Sequence, residues 1–234
     1  MALYLIPVDI GFSPDGGIYS SYQKQIIFSI KHFIVENAST ARKMLKKISY
    51  PFSFDDIVLI EYNEHNRHLV ETMSEIRDIF SKNEDIGLMS EAGVPCIADP
   101  GHEVVRLAHE KNIKVVPMFG PSSIILALMA SGFSGQQFVF HGYLPAKTNE
   151  RQNKLKQLVK ELQKSNFTHV FMEAPYRNNQ MLMDILNIFP AEFELCVASE
   201  ISLPDEFIKT QKVSQWKKHT PDLHKKRCVF CVRK

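Results

Sequence analysis

Two loops rich in glycine, proline and small residues are the segments of this chain best suited to hold a ligand. SEAGVPCIADPG begins at Ser90, and MFGPSS begins at Met118. Loops of this kind bring fixed backbone dipoles close to a bound molecule, because glycine tolerates conformations and approaches that other residues do not. Ser122 and Ser123 can cap the helix predicted after them, and its free amides can meet a carboxylate or a hydroxyl group. Taken singly, each loop residue could serve only a tight turn or a cap, but the joint pattern favours a ligand site.

The elements around these loops place them at one edge of a sheet. Residues 86–89 predict a buried strand, residues 102–111 a helix, and residues 113–117 a second strand. A strand, a helix and a strand in this order form a βαβ unit with parallel strands and a right-handed crossover. Ligands of open α/β sheets bind at the carboxyl ends of the strands, which is where both loops lie.

The loop after the first predicted strand does not match the common nucleotide-binding patterns. Its glycines, Gly11, Gly16 and Gly17, do not fit G-x-G-x-x-G, and no G-K-[ST] follows them. The sequence therefore excludes the Rossmann and P-loop fingerprints for this loop.

Composition is typical of a globular α/β protein and leaves the partner open. The chain has 234 residues, of which 44% are hydrophobic and 23% charged, so it can bury one large core or two smaller ones. A net charge of +2 neither requires nor forbids nucleic acid. No apolar run approaches the roughly 20 residues of a membrane span, and the first ten residues are too short for a secretory signal. We therefore expect a cytoplasmic protein without a membrane partner.

Neither the cysteines nor the histidines predict a metal site. Cys228 and Cys231 form a CxxC, but no second pair stands at zinc-site spacing, and buried thiols in the closing strand are favoured. His65 and His68 could share a helix face, yet no acidic third ligand is obvious, and a solvated surface position is favoured. The sequence thus predicts no metal.

The remaining hydrophobic patterns complete an α/β fold of two domains. The first domain, residues 1–117, predicts a mostly parallel sheet, and the second, residues 118–234, has more strand signals per helix and predicts a mixed sheet. Further strands are predicted at residues 3–7, 33–35, 57–60, 138–142, 169–173, 194–198 and 229–232. Further helices are predicted at residues 23–33, 38–48, 147–164 and 179–189, from about residue 66 to residue 80, and from residue 122 to near residue 132.

Five motifs in one order carry a resemblance to a known family. They are LYLIPVDIG, GLMSEAGVPCIADPG, VVPMFGPSS, the FxxxGYLPAK beginning at Phe138, and FMEAPYR. They resemble YxVPTPIGNL, VSDAGTPLISDPG, VVPLPGPSA, FxGFLP and FYESPHR of the ribosomal RNA small subunit methyltransferase I group within the tetrapyrrole methylase superfamily. The resemblance covers essentially the whole chain.

The resemblance implies a two-domain α/β methyltransferase of the tetrapyrrole methylase type, usually a homodimer, with S-adenosylmethionine folded into a cleft between the domains. The first domain would supply the acceptor side and part of the cofactor site, and the second the cofactor side. Carried over position by position, the residues implied to contact the cofactor are Ile10, Glu91, Gly93, Val94, Pro95, Ser122, Ser123, Met172, Ala198 and Ser199. A sulfonium donor has a charged leaving group already, so the site needs chiefly to align donor and acceptor and to exclude water.

The departures from the family pattern concentrate in the first domain. Asp9 stands where the group has a proline, Phe12 stands where it has an asparagine, and the segment from Val35 to Ser39 replaces AEDTR. If the acceptor is a ribose 2′-hydroxyl, a base should help to remove its proton. Glu36, Glu64 and His65 are the candidates in the diverged segments, although each could be a surface residue.

Clusters of basic residues are compatible with an RNA partner, specifically ribosomal RNA of the small subunit. They could follow a phosphate backbone if they face one side, or they could be solvated faces of amphipathic helices. The clusters are Arg42, Lys43, Lys46 and Lys47; Arg151, Lys154, Lys156, Lys160 and Lys164; and Lys217, Lys218, Lys225, Lys226 and Arg227.

The sequence therefore predicts an S-adenosylmethionine-dependent methyltransferase acting on ribosomal RNA at a ribose 2′-hydroxyl. Two alternatives stay open at this stage. One is the same fold acting on a tetrapyrrole or another acceptor. The other is a module that binds S-adenosylmethionine without catalysis.

Overall fold

In the computed structural model, which describes residues 1–11 and 17–234, the chain divides into two units, Met1–Ser122 and Ser123–Lys234. The sequence analysis put the division between residues 117 and 118. Two positions singled out from the sequence, Phe12 and Gly16, lie outside the described residues.

The first unit alternates strands and helices. Its elements are β1 (Ala2–Ile6), α1 (Ser21–Ser29), β2 (His32–Val35), α2 (Ala38–Lys47), β3 (Val58–Glu61), α3 (Val70–Ser81), β4 (Ile86–Met89), α4 (His102–Glu110) and β5 (Lys114–Pro117).

These five strands form one sheet in the order β3-β2-β4-β1-β5, and every pair is parallel. Gly87 lies in the central strand β4, where a Cβ atom would come within 2.7 Å of both Ile6 Cδ1 and Phe33 Cδ1. The side chains of the two neighbouring strands thus fill the space that a larger residue would need. Because all neighbouring strands are parallel, the carboxyl ends of the five strands lie along one edge of the sheet.

Helices cover both faces of this sheet. On one face, α1 and α2 pack Ile27 and Leu45 against Phe33, and on the other, α3 and α4 pack Ile76 and Val104 with their neighbours. Two helix starts are capped as their sequences allow. The Ser20 side chain accepts a hydrogen bond from the Gln23 amide in a capping box, and Asn37 caps α2 by accepting from the Thr40 amide. A sheet covered on both faces leaves its strand ends as the place for a ligand.

The second unit contains a mixed sheet. Its elements are α5 (Ser123–Ala130), β6 (Phe138–Tyr143), α6 (Thr148–Lys164), β7 (Thr168–Glu173), α7 (Asn178–Ile188), β8 (Glu194–Ser199), β9 (Phe207–Lys212), α8 (Val213–Trp216) and β10 (Cys228–Arg233). The strand order is β6-β7-β10-β8-β9, in which only β6 and β7 are parallel neighbours. One face packs against α6, α7 and α8, and the other packs against α5.

The α/β class with a parallel first sheet and a mixed second sheet is confirmed, whereas two local predictions are wrong. The predicted helix 23–33 overruns a strand, because Ile30 is already extended and β2 begins at His32. Apolar spacing alone did not separate the two elements. The prediction also missed β9, an edge strand whose sequence FIKTQK has only two apolar residues.

Cys228 and Cys231 are buried in β10, which confirms the prediction of buried thiols in the closing strand. Among residues 1–11 and 17–234, no helix combines the length and the apolar character needed to cross a bilayer.

Candidate active site

The loops that follow β1, β2 and β4 are bonded to one another at the carboxyl edge of the parallel sheet. Val8 and Gly93 exchange two backbone hydrogen bonds, of 2.7 and 2.9 Å, which join the loop after β1 to the loop after β4. From the other side, the Glu36 amide donates to the Met89 carbonyl over 3.1 Å, and the Glu91 amide donates to Glu36 Oε2 over 2.9 Å. The loop after β4 is thus held between the ends of two neighbouring strands.

Backbone conformation in the loop after β4 is unusual. Gly93 has φ +77°, and two residues that carry a Cβ, Cys96 and Ala98, also lie in the left-handed region at +71° and +64°. Such conformations cost of order 1 kcal/mol each and persist where surrounding contacts enforce them. Here the Asp99 carboxylate supplies these contacts. It accepts from the Cys96 amide at 2.9 and 3.0 Å and from the Gly101 amide at 2.7 Å.

The loop after β5 is fixed against the end of β1. The Met118 amide donates to the Leu5 carbonyl over 3.1 Å, and the Gln23 side-chain amide donates to the Phe119 carbonyl over 2.8 Å. Gly120 lies so close to Pro7 that an added Cβ would come within 2.2 Å of the proline Cβ. Glycine is therefore required at this position for the two loops to approach.

Beside the loop after β4 lies a hollow of about 200 Å³, a volume that includes space open to solvent. Polar and apolar groups line it together: Glu36, Tyr62, Leu88, Met89, Ser90, Pro95, Asp99, Pro100 and Gly101. The Tyr62 hydroxyl donates to Glu103 Oε2, which fixes the tyrosine at the wall. The hollow is smaller than the roughly 300–1,000 Å³ of typical ligand pockets, so its convergent polar groups, and not its size, distinguish it.

Two carboxyl groups of this hollow have shifted proton affinities. Burial raises the pKa of Glu36, and the nearby charges of Asp99, Glu91 and Glu64 raise it further, against the lowering effect of the Glu91 amide. Burial also raises the pKa of Asp99, which its backbone hydrogen bonds only partly offset. Raised carboxyl pKa values in a cleft are a frequent property of acid and base catalysts. Glu36 is half-buried and can reach the hollow, so it can accept a proton there.

The three candidate bases predicted from the sequence differ in position. Glu36 lines the hollow, whereas Glu64 and His65 are exposed on the turn after β3. The Glu64 carboxylate pairs with Arg67 at 3.2 Å, and the His65 amide donates to Asn63 Oδ1. Of these three, the structure brings only Glu36 to the wall of the hollow.

The cofactor residues predicted in the first unit gather around the same loops. Gly93, Val94 and Pro95 form the strained turn after β4, and Pro95 lines the hollow, while the Glu91 side chain is exposed. Ile10 is buried beside Gly93, since its Cγ2 would lie 3.5 Å from a Cβ at that glycine. The carbonyl of Pro121, which precedes Ser122, lies at the same distance from this point. These predicted residues belong to one continuous edge of the first unit.

In the second unit, the predicted residues fall on different sides of the sheet. Met172 and Ala198 both pair with Val229, so their side chains lie in one row and on the face covered by α5, whose first residue is Ser123. Ser199 is the next residue of its strand, and its side chain points to the opposite face. Only one of the side chains of Ala198 and Ser199 can therefore face a ligand on the α5 side.

Sequence reasoning missed two groups of the hollow, Tyr62 and Asp99. Asp99 was visible as a carboxylate inside the motif CIADPG, between positions that demand a tight turn, and this was a usable signal. Tyr62 directly follows β3, and nothing in the sequence pairs it with Glu103, which lies 41 positions later.

Basic residues divide between surface and core. The side chains of Arg42, Lys43, Lys46 and Lys47 are exposed on α2. Arg151 is not part of a surface cluster as the sequence analysis expected, because it is 2% exposed and forms a buried ion pair with Asp184 at 2.6 Å. Its neighbours Lys156, Lys160 and Lys164 are exposed on α6.

Comparison with known proteins gives one family and a consistent set of relatives. The family model described as Tetrapyrrole (Corrin/Porphyrin) Methylases matches residues 29–216. A Vibrio cholerae protein named ribosomal RNA small subunit methyltransferase I is 31% identical over 213 residues, which cover 91% of this chain and 69% of that protein. Proteins of the same name from Thermotoga maritima and Pseudomonas aeruginosa are 34% and 35% identical. The matches cover 70% and 64% of this chain, and 72% and 52% of those relatives.

Proposed function

The chain belongs to the tetrapyrrole methylase family, and from that premise we propose that it transfers a methyl group from S-adenosylmethionine to a ribose 2′-hydroxyl of small-subunit ribosomal RNA. The family resemblance that five motifs indicate is confirmed by the family match, and the chain is an S-adenosylmethionine-dependent methyltransferase. The acceptor is inferred from the names of the relatives and from the site described above.

One observation carries the proposal for the site. The motif loop after β4 is bonded to Val8 on one side and to Glu36 on the other, so the predicted cofactor loop and a half-buried base adjoin within a single unit. A methyltransferase needs this adjacency, because donor and acceptor must be held in line.

The residues of each unit suit the donor that the family uses. In the first unit, the exposed Glu91 carboxylate can accept hydrogen bonds from ribose hydroxyls or from an ammonium group, and the hydrogen bonds between Gly93 and Val8 fix the turn that presents it. In the second unit, Ser123 opens α5 and can meet a carboxylate, and the half-buried Met172, in the same row as the fully buried Ala198, offers apolar surface for an aromatic ring. We propose that these residues, with Ile10, Val94, Pro95, Ser122 and the backbone at Ser199, contact S-adenosylmethionine.

The chemistry assigned to the protein is orientation and proton removal. S-adenosylmethionine supplies an electrophilic methyl group with a neutral thioether as leaving group. Glu36 accepts the proton of the attacking hydroxyl, so the oxygen gains a methyl group as it loses a proton to the carboxylate. The raised pKa of Glu36 suits this role, because it increases the proton affinity of the carboxylate.

Exposed basic residues support an RNA acceptor. The Arg42, Lys43 and Lys46 side chains of α2 follow Asn37, which caps this helix directly after Glu36. Lys47 is paired with Asp9 at 3.1 Å. Exposed cationic side chains on the helix that follows Glu36 can bind the phosphates of an RNA acceptor.

We further propose that the protein forms a homodimer. On α5, Ile125 and Met129 are 44% and 72% exposed and lie one helical turn apart, so they form an apolar surface that a second copy of the chain would cover. Light scattering after size-exclusion chromatography would give twice the chain mass of 26.9 kDa. A single-chain mass at micromolar concentration would contradict the dimer.

Two measurements test the function. Calorimetric titration with S-adenosylmethionine should show binding, and small ribosomal subunits that lack native methylation should accept a labelled methyl group, with ribose methylation found by nuclease mapping. Binding without transfer to these subunits would contradict the acceptor, and methylation of a tetrapyrrole instead would replace it. Absence of binding would contradict the proposed donor site.

Glu36→Gln tests the base. We expect kcat to fall by roughly 10²–10⁴-fold, with the affinity for S-adenosylmethionine retained, because general base catalysis contributes about this much. Glu64→Gln and His65→Gln are matched controls on the neighbouring exposed turn and should retain activity within about threefold. Unchanged kcat in Glu36→Gln would exclude the carboxylate as base.

A further inference from the structure

Three side chains that can bind a metal ion meet within the second unit. They are His141 on β6, His169 on β7 and Glu161 on α6, and one ligand atom from each lies within 4.8 Å of the others. His141 Nε2 and His169 Nδ1 are 2.8 Å apart, and Glu161 Oε2 is 3.8 Å from His169 Nδ1. The three residues are spread over 29 positions of the sequence, so no spacing motif reveals them.

The fold aims these groups at one point. Val139 pairs with His169, so the side chains of His141 and His169 lie on the same face of the sheet, which α6 covers. The register between β6 and β7 shifts between Phe140 and Tyr143, and His141 lies within this shift. Bulges of this kind often re-aim a side chain. His169 is 2% exposed, whereas His141 and Glu161 are half-buried, which leaves a path from solvent.

From this geometry we propose that His141, Glu161 and His169 form a binding site for a transition-metal ion, with zinc as the preferred ion. Two imidazoles and one carboxylate are borderline ligands that suit Zn²⁺, and a water molecule would complete a tetrahedron. Zn²⁺ bonds of about 2.0–2.1 Å at tetrahedral angles place two ligand nitrogens about 3.3 Å apart. The present separations of 2.8 and 3.8 Å bracket that value. These two separations need adjustments of about half an ångström, and the half-buried Glu161 carboxylate, which lies within 4.8 Å of His141, must move toward that ring.

The electrostatics of the cluster are compatible with a cation. Burial lowers the pKa of both His141 and His169, which favours neutral rings; the 2.8 Å hydrogen bond between them places a proton on one of the two facing nitrogens, and ion binding would move that proton to the other nitrogen of the same ring. The ammonium group of Lys154 opposes a cation, and the carboxylate of Glu161 favours one. A bound ion would cross-link the edge strand β6 to β7 and to α6. The site is independent of the proposed methyl transfer.

Spectroscopy with Co²⁺ tests the site in the full chain. Titration under a phosphine reductant should give one Co²⁺ per chain, with visible d–d bands of a four-coordinate ion and without the near-ultraviolet band of thiolate ligands. Calorimetry with ZnCl₂ should give the same stoichiometry, and saturating Zn²⁺ should raise the melting temperature, because it binds the folded state. A thiolate band, or no stoichiometric binding of either ion, would overturn the proposal.

Substitutions identify the ligands. The double variant His141→Gln with Glu161→Gln changes two half-buried residues and should weaken Co²⁺ binding by at least about 100-fold, while His65→Gln with His68→Gln removes two exposed histidines and should leave it unchanged. Circular dichroism without metal checks that both variants are folded. Equal binding by the first variant and the wild type, or loss of binding in the second, would overturn the assignment. Methyl transfer needs no measurement in this test.

Discussion

Carboxylates that are fully or partly buried have different partners in the two units of this protein. In the second unit, Asp184 and Glu173 each face an arginine, at 2.6 Å from Arg151 and 2.6 Å from Arg177. In the first unit, Glu36 and Asp99 bond to backbone amides and border the hollow, and other carboxylates raise the pKa of Glu36. Asp184 and Glu173 are paired with arginines, whereas burial raises the pKa of Glu36 and of Asp99.

This difference distinguishes carboxylates that stabilise the fold from a carboxylate that can act as a catalytic base. An ion pair with arginine holds a carboxylate in its charged form and fixes its position, which suits a packing role. A carboxylate held by amides in a partly buried hollow keeps its capacity to take up a proton, which suits a base. We therefore expect the acids of the second unit to matter for folding, and Glu36 to matter for turnover.

The largest effect on stability should follow loss of the buried arginine in the second unit. Arg151→Met should lower the free energy of unfolding by about 3–5 kcal/mol, because it leaves the Asp184 charge buried with only the neutral amides of Gln152 and Gln180 as partners. Urea denaturation followed by tryptophan fluorescence reports on this unit, since Trp216 is the single tryptophan of the chain. A loss below about 1 kcal/mol would show that Asp184 finds another partner and would weaken the comparison.

The second largest effect on stability should follow loss of the Asp99 carboxylate, which holds the loop after β4 by hydrogen bonds. Asp99→Ala removes the acceptor of the Cys96 and Gly101 amides, and we expect a loss of about 2–3 kcal/mol in unfolding free energy. Asp99→Asn is the matched control, since it keeps an acceptor oxygen and removes the charge, and it should cost less than half as much. Equal losses in both variants would show that the charge itself stabilises the loop.

Unlike the two changes above, Glu36→Gln should raise the free energy of unfolding at neutral pH. Because the folded protein raises the pKa of Glu36, its contribution to stability is greatest at low pH and declines as pH rises through the folded-state pKa. The variant should therefore gain stability relative to wild type as the pH rises from 4 to 7. Urea midpoints at the two pH values measure this. A destabilised variant at pH 7 would place Glu36 among the supporting groups.

The smallest effect should come from a surface ion pair. Arg106 and Glu110 lie 3.6 Å apart on α4, and their side chains are 79% and 61% exposed. Arg106→Ala should change the unfolding free energy by less than about 0.5 kcal/mol, because solvent screens exposed pairs. A larger change would mean that burial does not govern the cost of losing an arginine in this protein.

Local hydrophobic patterns predicted most of the strands and helices, and the errors have physical causes. The run at Ile86–Met89 was predicted with its observed limits, because a buried parallel strand is a continuous apolar segment. The strand Phe207–Lys212 was missed, since an edge strand needs little apolar character.

The site was only partly predictable, because contacts distant in sequence decide it. Glu36 stood among three candidates, and nothing local distinguished it from Glu64. Its meeting with the amide of Glu91, 55 positions away, made that distinction. Arg151 was counted as a surface cation, because its partner Asp184 lies 33 positions later.

Because Gly87 has no side chain, the residues tolerated at this position depend on those at positions 6 and 33 of the two neighbouring strands. Since Ile6 and Phe33 occupy the volume that a β-carbon would take, a Gly87→Ala change alone should be rejected in a library selected for folding. The same change should be recovered when position 6 or 33 becomes smaller. Such epistasis would be visible as compensating pairs in double-mutant libraries, and it would show how tightly the innermost strand constrains the drift of its neighbours.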